Sequence, residues 1–152
     1  MPTPLPAALE NALASRNPRT VLGEVLRHFD AQAGTLHWLD VHSGLLTLAA
    51  HQNIPPHIAE IVGTVPIGKG IAGLAAQRRE PVALCNLQTD TSGQARPAAK
   101  STGMEGSLAV PMLAEGELCG VLGIAKAEEY DWSAEEKDLL LAFASRLCGL
   151  RP

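Results

Sequence analysis

Aromatic residues are scarce in this sequence: two Trp, two Phe and one Tyr make up 3% of its 152 residues. The core therefore has to be built from Leu, Val, Ile and Ala. Hydrophobic residues as a whole reach 46%, which is close to the norm for globular proteins and argues against disorder. A chain of this length corresponds to about one domain and can bury a core without disulfides or metals.

Basic residues are too few for a surface that binds nucleic acid. The net charge is −4, and the densest basic cluster is the pair Arg78-Arg79. Proteins that bind DNA or RNA need clustered Lys and Arg to neutralise phosphates. We therefore expect no direct contact with nucleic acid.

Long apolar runs and paired cysteines are also missing. No run reaches the ~18 residues that span a bilayer, and residues 1–6 lack the basic and apolar regions of a secretory signal. The cysteines Cys85, Cys119 and Cys148 are widely spaced and form no C-x-x-C pair. We expect a cytoplasmic protein that does not associate with membranes, with reduced thiols and with Cys119 and Cys148 as small buried hydrophobic residues.

Two further patterns, in the histidines and in the glycines, give little indication of a metal site or a nucleotide site. The five histidines form no H-x-x-x-H or H-E-x-x-H spacing, so we expect no metal site. Gly68, Gly70 and Gly73 match the spacing of a dinucleotide fingerprint, with Asp90 at the distance of its acidic residue. A preceding parallel strand is not indicated, which favours a tight turn leading into a helix. The N–H groups at that helix start would still favour an anionic ligand group.

Prolines and hydrophobic periodicity divide the chain. Residues 1–18 contain four prolines and predict a partly flexible leader with a short helix over 7–16, whereas residues 19–150 predict one domain. The elements predicted next, in chain order, are a helix to about Phe29, a hairpin of strands 35–40 and 45–50 with Gly44 in its turn, a short helix 57–62, a helix from Ile71 to Pro81, a short strand 82–85 and an irregular segment 86–105.

The C-terminal part is the most regular. Segments 107–113 and 118–125 are apolar or small on both alternating faces, which predicts strands in the interior of a sheet. Pro111 fits such a strand only at a bulge or where pairing stops. Ser133 and Glu136 form the pattern of a capping box at the start of the last helix. The apolar stripe of that helix is wide, which indicates an interface.

The order of these motifs resembles the GAF domain family over about residues 19–150. Ile67-Gly68-Lys69-Gly70 followed by a helix and Glu80-Pro81-Val82 is similar to the family's central part. Ser107 to Ala125 is similar to its pair of strands with a Gly-containing turn, and Tyr130-Asp131-Trp132-Ser133 to the entry of its last helix.

The resemblance implies a GAF-like α+β fold, profilin-like and related to PAS domains. A central antiparallel sheet of five to six strands would carry the terminal helices on one face, and the short helices and the irregular segment on the other. The resemblance also implies a sensory or regulatory domain in bacterial signal transduction or transcriptional regulation, which would bind a small molecule and form a homodimer through the terminal helices. An output domain or a partner protein would receive the signal.

The topology of the resembled fold also implies which residues line the ligand pocket. They come from the first strand, the glycine turn, the end of the short strand, the irregular segment and the central strand: Trp38, Ile67, Ile71, Cys85, Asn86, Asp90, Met104, Ser107 and Ala109. The cyclic-nucleotide motif of the family is incomplete here, since only Asn86 and Asp90 have counterparts. No cofactor is indicated.

Catalytic residues are not evident, and we expect that the domain is not an enzyme. Two alternatives remain open. Some GAF-like proteins reduce free methionine-R-sulfoxide with pocket cysteines, and Cys85 is the cysteine placed for such thiol chemistry. The domain could also be a purely structural dimerisation module, which predicts a filled interior.

Overall fold

The helices and strands follow the order expected from the sequence. The computed structural model of the chain describes residues 4–152, apart from the side chain of Ala98. The helices are α1 Ala7–Ala14, α2 Pro18–Phe29, α3 Pro56–Ile61, α4 Gly70–Arg78, α5 Pro97–Lys100 and α6 Ala134–Leu147, with a final 3-10 turn at Cys148–Leu150. The strands are β1 Ala33–Leu39, β2 Leu45–Gln52, β3 Thr64–Pro66, β4 Val82–Leu84, β5 Gly106–Ala114 and β6 Glu117–Lys126.

One antiparallel sheet holds the six strands in the order β3-β2-β1-β6-β5-β4. The predicted α+β class is confirmed, and β5 and β6 are interior strands as their two apolar faces indicate. The pairing of β4 with β5 ends at Ala109, two residues before Pro111. Pro111 therefore lies in the part of β5 that no longer pairs with β4. This placement fits a residue that has no N–H to donate to a neighbouring strand.

The sheet separates two hydrophobic cores. The larger core lies beneath α1, α2 and α6 and includes Leu36, Leu122 and Phe143. The smaller core lies beneath α4 on the opposite face and includes Leu46 and Ala75. This arrangement matches the expected division into terminal helices on one face and short helices on the other.

Helix α1 belongs to the larger core. The predicted helix within the leader is confirmed, and its Leu9 is fully buried. Glu10 also accepts two hydrogen bonds from Arg146 of α6, at 3.0 and 3.2 Å. Residues 1–3 of the predicted leader lie outside the described residues.

The last helix begins as predicted, but its wide apolar stripe is used within the chain. Ser133 Oγ accepts from the Glu136 N–H at 3.1 Å, and Glu136 Oε1 accepts from the Ser133 N–H at 2.9 Å, which completes the capping box. The side chains that widen the stripe are half-buried against the larger core: Leu139, Leu141 and Leu150. The stripe is therefore no independent sign of a dimer interface.

Two of the cysteines are paired, which corrects the expectation of three reduced thiols. Cys119 of β6 and Cys148 at the end of α6 form a disulfide, with their Cα atoms 5.6 Å apart. The sequence hides this pair because 29 residues separate the two positions, and only the packing of α6 on the sheet brings them together. Cys85 is free and exposed. Within residues 4–152, no helix combines the length and the apolar character that a bilayer crossing requires.

Candidate functional site

A cavity lies between the sheet and the short helices α3, α4 and α5. Its volume is about 140 Å³, which is close to the roughly 150 Å³ of an apolar protein cavity that binds benzene. A smaller cavity of about 80 Å³ shares Thr35, Ile54 and Thr102 with it. The walls of the larger cavity are mostly apolar and are formed by Thr35, His37, Ile54, Ile58, Val62, Val65, Lys69, Gly70, Ile71, Ala72, Arg96, Ala99 and Thr102.

Strand β1 forms the floor of the cavity with alternate residues. Thr35 and His37 line the cavity, whereas Leu36 and Trp38 pack in the core beneath the terminal helices. Successive side chains of a strand point to opposite faces of the sheet, which produces this division. A single strand thus contacts both the cavity and the terminal helices.

His37, in the wall of the cavity, has one ring nitrogen without a hydrogen-bond partner among residues 4–152. The residue is 2% exposed, and its Nε2 donates to the carbonyl oxygen of Val62 at 2.8 Å. Burial lowers the pKa of His37, an effect that this hydrogen bond partly opposes. A neutral ring that donates from Nε2 carries a lone pair on Nδ1. That Nδ1 is buried and has no hydrogen-bond partner among residues 4–152.

Arg96 contributes the second unused polar group. Its Nη1 is buried and makes no hydrogen bond to any described part of the chain, although guanidinium groups are strong donors. The aliphatic part of Arg96 lies against the backbone of Gly70, where a Cβ atom would come within 2.9 Å of Cδ. Gly70 has a φ of +69°, so both its conformation and the close approach of Arg96 favour glycine.

The N-terminus of α4 opens towards the same cavity. Lys69 is the N-cap residue and makes no side-chain capping bond, and Lys69, Gly70, Ile71 and Ala72 all line the cavity. The first N–H groups of a helix have no acceptor within the helix. The strand before the glycine turn, β3, runs antiparallel to β2. The dinucleotide fingerprint therefore lacks its parallel strand, and the interpretation as a turn before a helix is supported.

The residues predicted to bind a ligand are dispersed in the structure. Ile71 lines the larger cavity and Met104 the smaller one. Trp38 packs on the opposite face of the sheet, while Ile67 is 40% exposed. Ser107 and Ala109 lie on β5, paired with β4.

The other three predicted residues form polar contacts in and beside the irregular segment. Asn86 donates to Glu105 at 3.1 Å, and Asp90 accepts from the Ser92 hydroxyl at 2.7 Å. The Cys85 thiol is exposed and lies 3.9 Å from an oxygen of Asp131. None of the three is among the described residues that line the two cavities.

Two polar residues of the cavity wall, His37 and Arg96, were not predicted from the sequence. Trp38 was predicted from its place on the first strand, but only one of two neighbouring residues of a strand points to a given face of the sheet. His37 alternates with the apolar residues Leu36 and Trp38 along β1. This alternation predicts that His37 faces the side of the sheet opposite to the terminal helices. Arg96 gives a weaker signal in the sequence. It is a single cation among Ala and Pro residues in the irregular segment.

The family assignment agrees with this architecture. A family model described as "GAF domain" matches residues 19–147. The chain belongs to the GAF domain family. A comparison with functionally curated proteins finds no significant match.

Solved GAF domains have closely similar structures. The GAF domain of a phosphoenolpyruvate-protein phosphotransferase from Acinetobacter has a TM-score of 0.75 and 21% identity, covering 94% of this chain and 89% of that one. The GAF domain of a phosphoenolpyruvate-protein phosphotransferase from Coxiella burnetii has a TM-score of 0.75 and 25% identity, covering 93% and 88%. These similarities establish the GAF-like fold.

Enzymes are found among the structural neighbours as well. The free methionine-R-sulfoxide reductase from Neisseria meningitidis, solved with its substrate, has a TM-score of 0.75 and 17% identity, covering 94% of this chain and 85% of that one. Reductases from Staphylococcus aureus and Thermoplasma acidophilum are also similar. The expectation that the domain is not an enzyme, which was based on the lack of evident catalytic residues, is therefore wrong, because the same fold carries catalysis in these reductases.

Proposed function

We propose that this GAF domain is a sensory or regulatory domain whose small-molecule ligand occupies the larger cavity. The observation that carries the proposal is the cavity itself, which is largely apolar and has two polar side chains, His37 and Arg96, in its wall. Small-molecule sites typically combine apolar walls with a few polar groups that orient the ligand. A filled interior, as in a purely structural module, would not leave this space.

A cavity-filling substitution tests this proposal. Ala72 of α4 lines the cavity, so Ala72→Phe should remove the space for a ligand. Ala8 is exposed on α1, on the opposite face of the sheet, and Ala8→Phe provides the matched control. Fragments that bind the unmodified domain in ligand-observed NMR should no longer bind Ala72→Phe but should bind Ala8→Phe normally. Unchanged binding to Ala72→Phe would refute the proposal.

Signal transmission through β1 follows from the two faces of that strand. A ligand that contacts His37 or Thr35 also acts on the backbone that positions Leu36 and Trp38 beneath the terminal helices. A ligand shifts a conformational equilibrium only if it binds one state better than the other. Hydrogen exchange in β1, α2 and α6 should therefore change when the cavity is occupied, and unchanged exchange in all three would exclude this route.

Pairing of two copies through the terminal helices is part of the same proposal. Native mass spectrometry of the purified domain would report the oligomeric state together with any small molecule that co-purifies. A dimer that dissociates when α6 is altered would support the helical interface. A monomer at every protein concentration would exclude it. The proposed setting is bacterial signal transduction or transcriptional regulation, with an output domain or a partner protein as the receiver.

A free methionine-R-sulfoxide reductase is the second candidate, favoured by the reductase neighbours and by the accessible thiol of Cys85. In that reaction the thiolate would attack the sulfoxide sulfur, releasing the thioether and leaving a cysteine sulfenic acid. A second thiol, supplied by an added dithiol, would then form a disulfide and release water. Cys85→Ser should abolish the formation of methionine from the R-sulfoxide, whereas Cys148→Ser should not. The absence of turnover by the unmodified domain would remove this candidate.

A further inference from the structure

The disulfide between Cys119 and Cys148 lies on the face of the sheet that carries the terminal helices. Both residues pack with the larger core, and neither is among the described residues that line the cavity on the opposite face. Cys119 belongs to β6, and Cys148 is the first residue after α6. The bond therefore joins the last turn directly to the sheet, at a distance from the proposed ligand site.

A β-bulge turns Cys119 towards α6. The register of β5 and β6 shifts there, and Cys119 has no paired residue on β5. The extra residue reverses the alternation of the strand, so that Leu118 packs with the smaller core and Cys119 with the larger one. In a regular strand residue 119 would share the face of Val121, which belongs to the smaller core, and it could not meet Cys148.

The backbone beside the bulge is packed so closely that only glycine fits. A Cβ atom at Gly120 would collide with the backbone oxygen of His37 on β1 and with the side chain of Met112 on β5. Both neighbours are buried, and a close-packed interior leaves them little room to move aside. This packing fixes the bulge and, with it, the direction of the Cys119 side chain.

The last turn depends on the disulfide more than α6 does. Helix α6 is anchored by side chains that are fully buried, among them Phe143 and Leu147. In the turn that follows, Leu150 is only partly buried against the larger core, and the carbonyl oxygen of Gly149 accepts an exposed hydrogen bond from Arg16 Nη2 at 3.0 Å. Segments held by little apolar burial and exposed hydrogen bonds open locally at low free-energy cost. Opening the disulfide should therefore loosen residues 148–152 while α6 stays on the sheet.

Cys148 is the member of the pair that a reductant can reach, because it is half-buried whereas Cys119 is 4% exposed. Disulfides are reduced by attack of a thiolate on one sulfur. One thiolate of a dithiol attacks Cys148 Sγ, and Cys119 leaves as a thiolate. The second thiolate of the dithiol then attacks the mixed disulfide and releases Cys148. Two electrons pass from the dithiol to the pair, and the two protons of the dithiol end on the two cysteine thiols.

The weakly held turn also makes the bond reversible. A disulfide is easier to reduce when the fold does not hold its two thiols together afterwards, because the effective concentration of one thiol at the other falls. We propose that Cys119 and Cys148 form a redox switch: oxidation fixes the last turn to β6, and reduction by a dithiol frees it without unfolding the domain. The freed turn loses its hydrogen bond to Arg16, which follows α1, so the redox state controls a contact between the two ends of the domain. This switch needs no ligand in the cavity and goes beyond the proposed function.

Backbone order parameters from NMR relaxation, measured with and without dithiothreitol, test the inference. Cys85→Ser removes the exposed free thiol and serves as the parent protein. On reduction the order parameters of residues 148–151 should fall from about 0.85 to below about 0.6, whereas those of α6 up to Phe143 should stay near about 0.85. Oxidised glutathione should restore the high values. Cys148→Ser in the same parent is the control, and its last turn should be mobile with or without dithiothreitol.

Three outcomes would overturn the inference. Dithiothreitol that opens the pair only in denaturant would mark the bond as a fixed structural link. A last turn that stays rigid after reduction would show that the bond does not control it. Loss of the folded spectrum on reduction would show that the bond holds the whole domain rather than its last turn. The comparison of oxidised and reduced parent protein needs no change at either cysteine of the pair, so it decides the question even if Cys148→Ser does not fold. The proposed function is tested separately, by binding to the cavity.

Discussion

At the residue scale, the imidazole of His37 serves both the fold and the candidate site. One ring nitrogen donates to the carbonyl of Val62, and the other is a buried acceptor without a partner among residues 4–152. This division requires the neutral ring, and burial favours that form by lowering the pKa of His37. The hydrogen bond to Val62 partly opposes this lowering of the pKa.

The lowered pKa of His37 predicts a pH-dependent stability. Between the folded-state pKa and the ordinary value near 6.5, the unfolded chain binds more protons than the native state, so stability rises with pH. The contribution of His37 to the free energy of unfolding is complete above about pH 6.5. It is lost as the pH falls through the lowered pKa, by at most about 1.4 kcal/mol per pH unit. Urea unfolding of the protein from pH 7.5 to pH 5 should show this loss.

Substitution of His37 provides the control for that pH dependence. His37→Gln should unfold with a flatter pH profile, because Gln does not titrate. His51→Gln changes an exposed histidine on β2 and should retain the steep profile. If the profiles of the unmodified protein and His37→Gln are parallel, another group causes the loss and the assignment to His37 is wrong.

At the element scale, α1 behaves as part of the domain although its residues precede the segment matched by the family model. Its inner face is anchored by a fully buried Leu9. Its outer face is held by the pair Glu10 and Arg146, whose side chains are 45% and 52% exposed. Burial of an aliphatic side chain contributes far more to stability than an exposed ion pair.

Substitutions at two neighbouring positions of α1 should therefore lower the free energy of unfolding by different amounts. Leu9→Ala should lower the free energy of unfolding by about 2–5 kcal/mol, since it leaves a cavity in the larger core. Glu10→Ala should lower it by less than about 1 kcal/mol. Both values can be measured by urea denaturation followed by circular dichroism. Similar small effects for both variants would mean that α1 is not packed on the domain in solution.

At the scale of the whole molecule, the disulfide between Cys119 and Cys148 links the interior of the sheet to the chain's last turn. Because the two residues are 29 positions apart, loop-closure arguments predict a stabilisation of about 3–4 kcal/mol relative to the reduced chain. A reductant should lower the urea midpoint of the unmodified protein by the corresponding amount and should leave Cys148→Ser unchanged.

A count of thiols provides a separate check on this disulfide. One reactive thiol, that of Cys85, is expected in denaturant without reductant, and three are expected after reduction. Three thiols before reduction would contradict the disulfide.

The sequence predicts the elements of the fold better than it predicts the site. Strands β5 and β6, the turn at Gly44 and the cap at Ser133 depend on neighbouring residues, and local patterns therefore reveal them. The cavity depends on which face of β1 each side chain occupies and on how Arg96 approaches Gly70, and both are set by tertiary packing. For the same reason the pairing of Cys119 with Cys148 could not be read from their spacing.

The two outer strands of the sheet, β3 and β4, have three residues each, and this affects how the protein behaves at high concentration. Long, flat strand edges can template the addition of strands from other molecules and start fibrils. Here the outermost strands offer few ladder groups, and Pro111 lies in the part of β5 beyond β4, where it supplies no donor to an incoming strand. The molecule is therefore expected to resist edge-to-edge aggregation, and the exposed charges of Arg79 and Glu80 just before β4 act in the same direction.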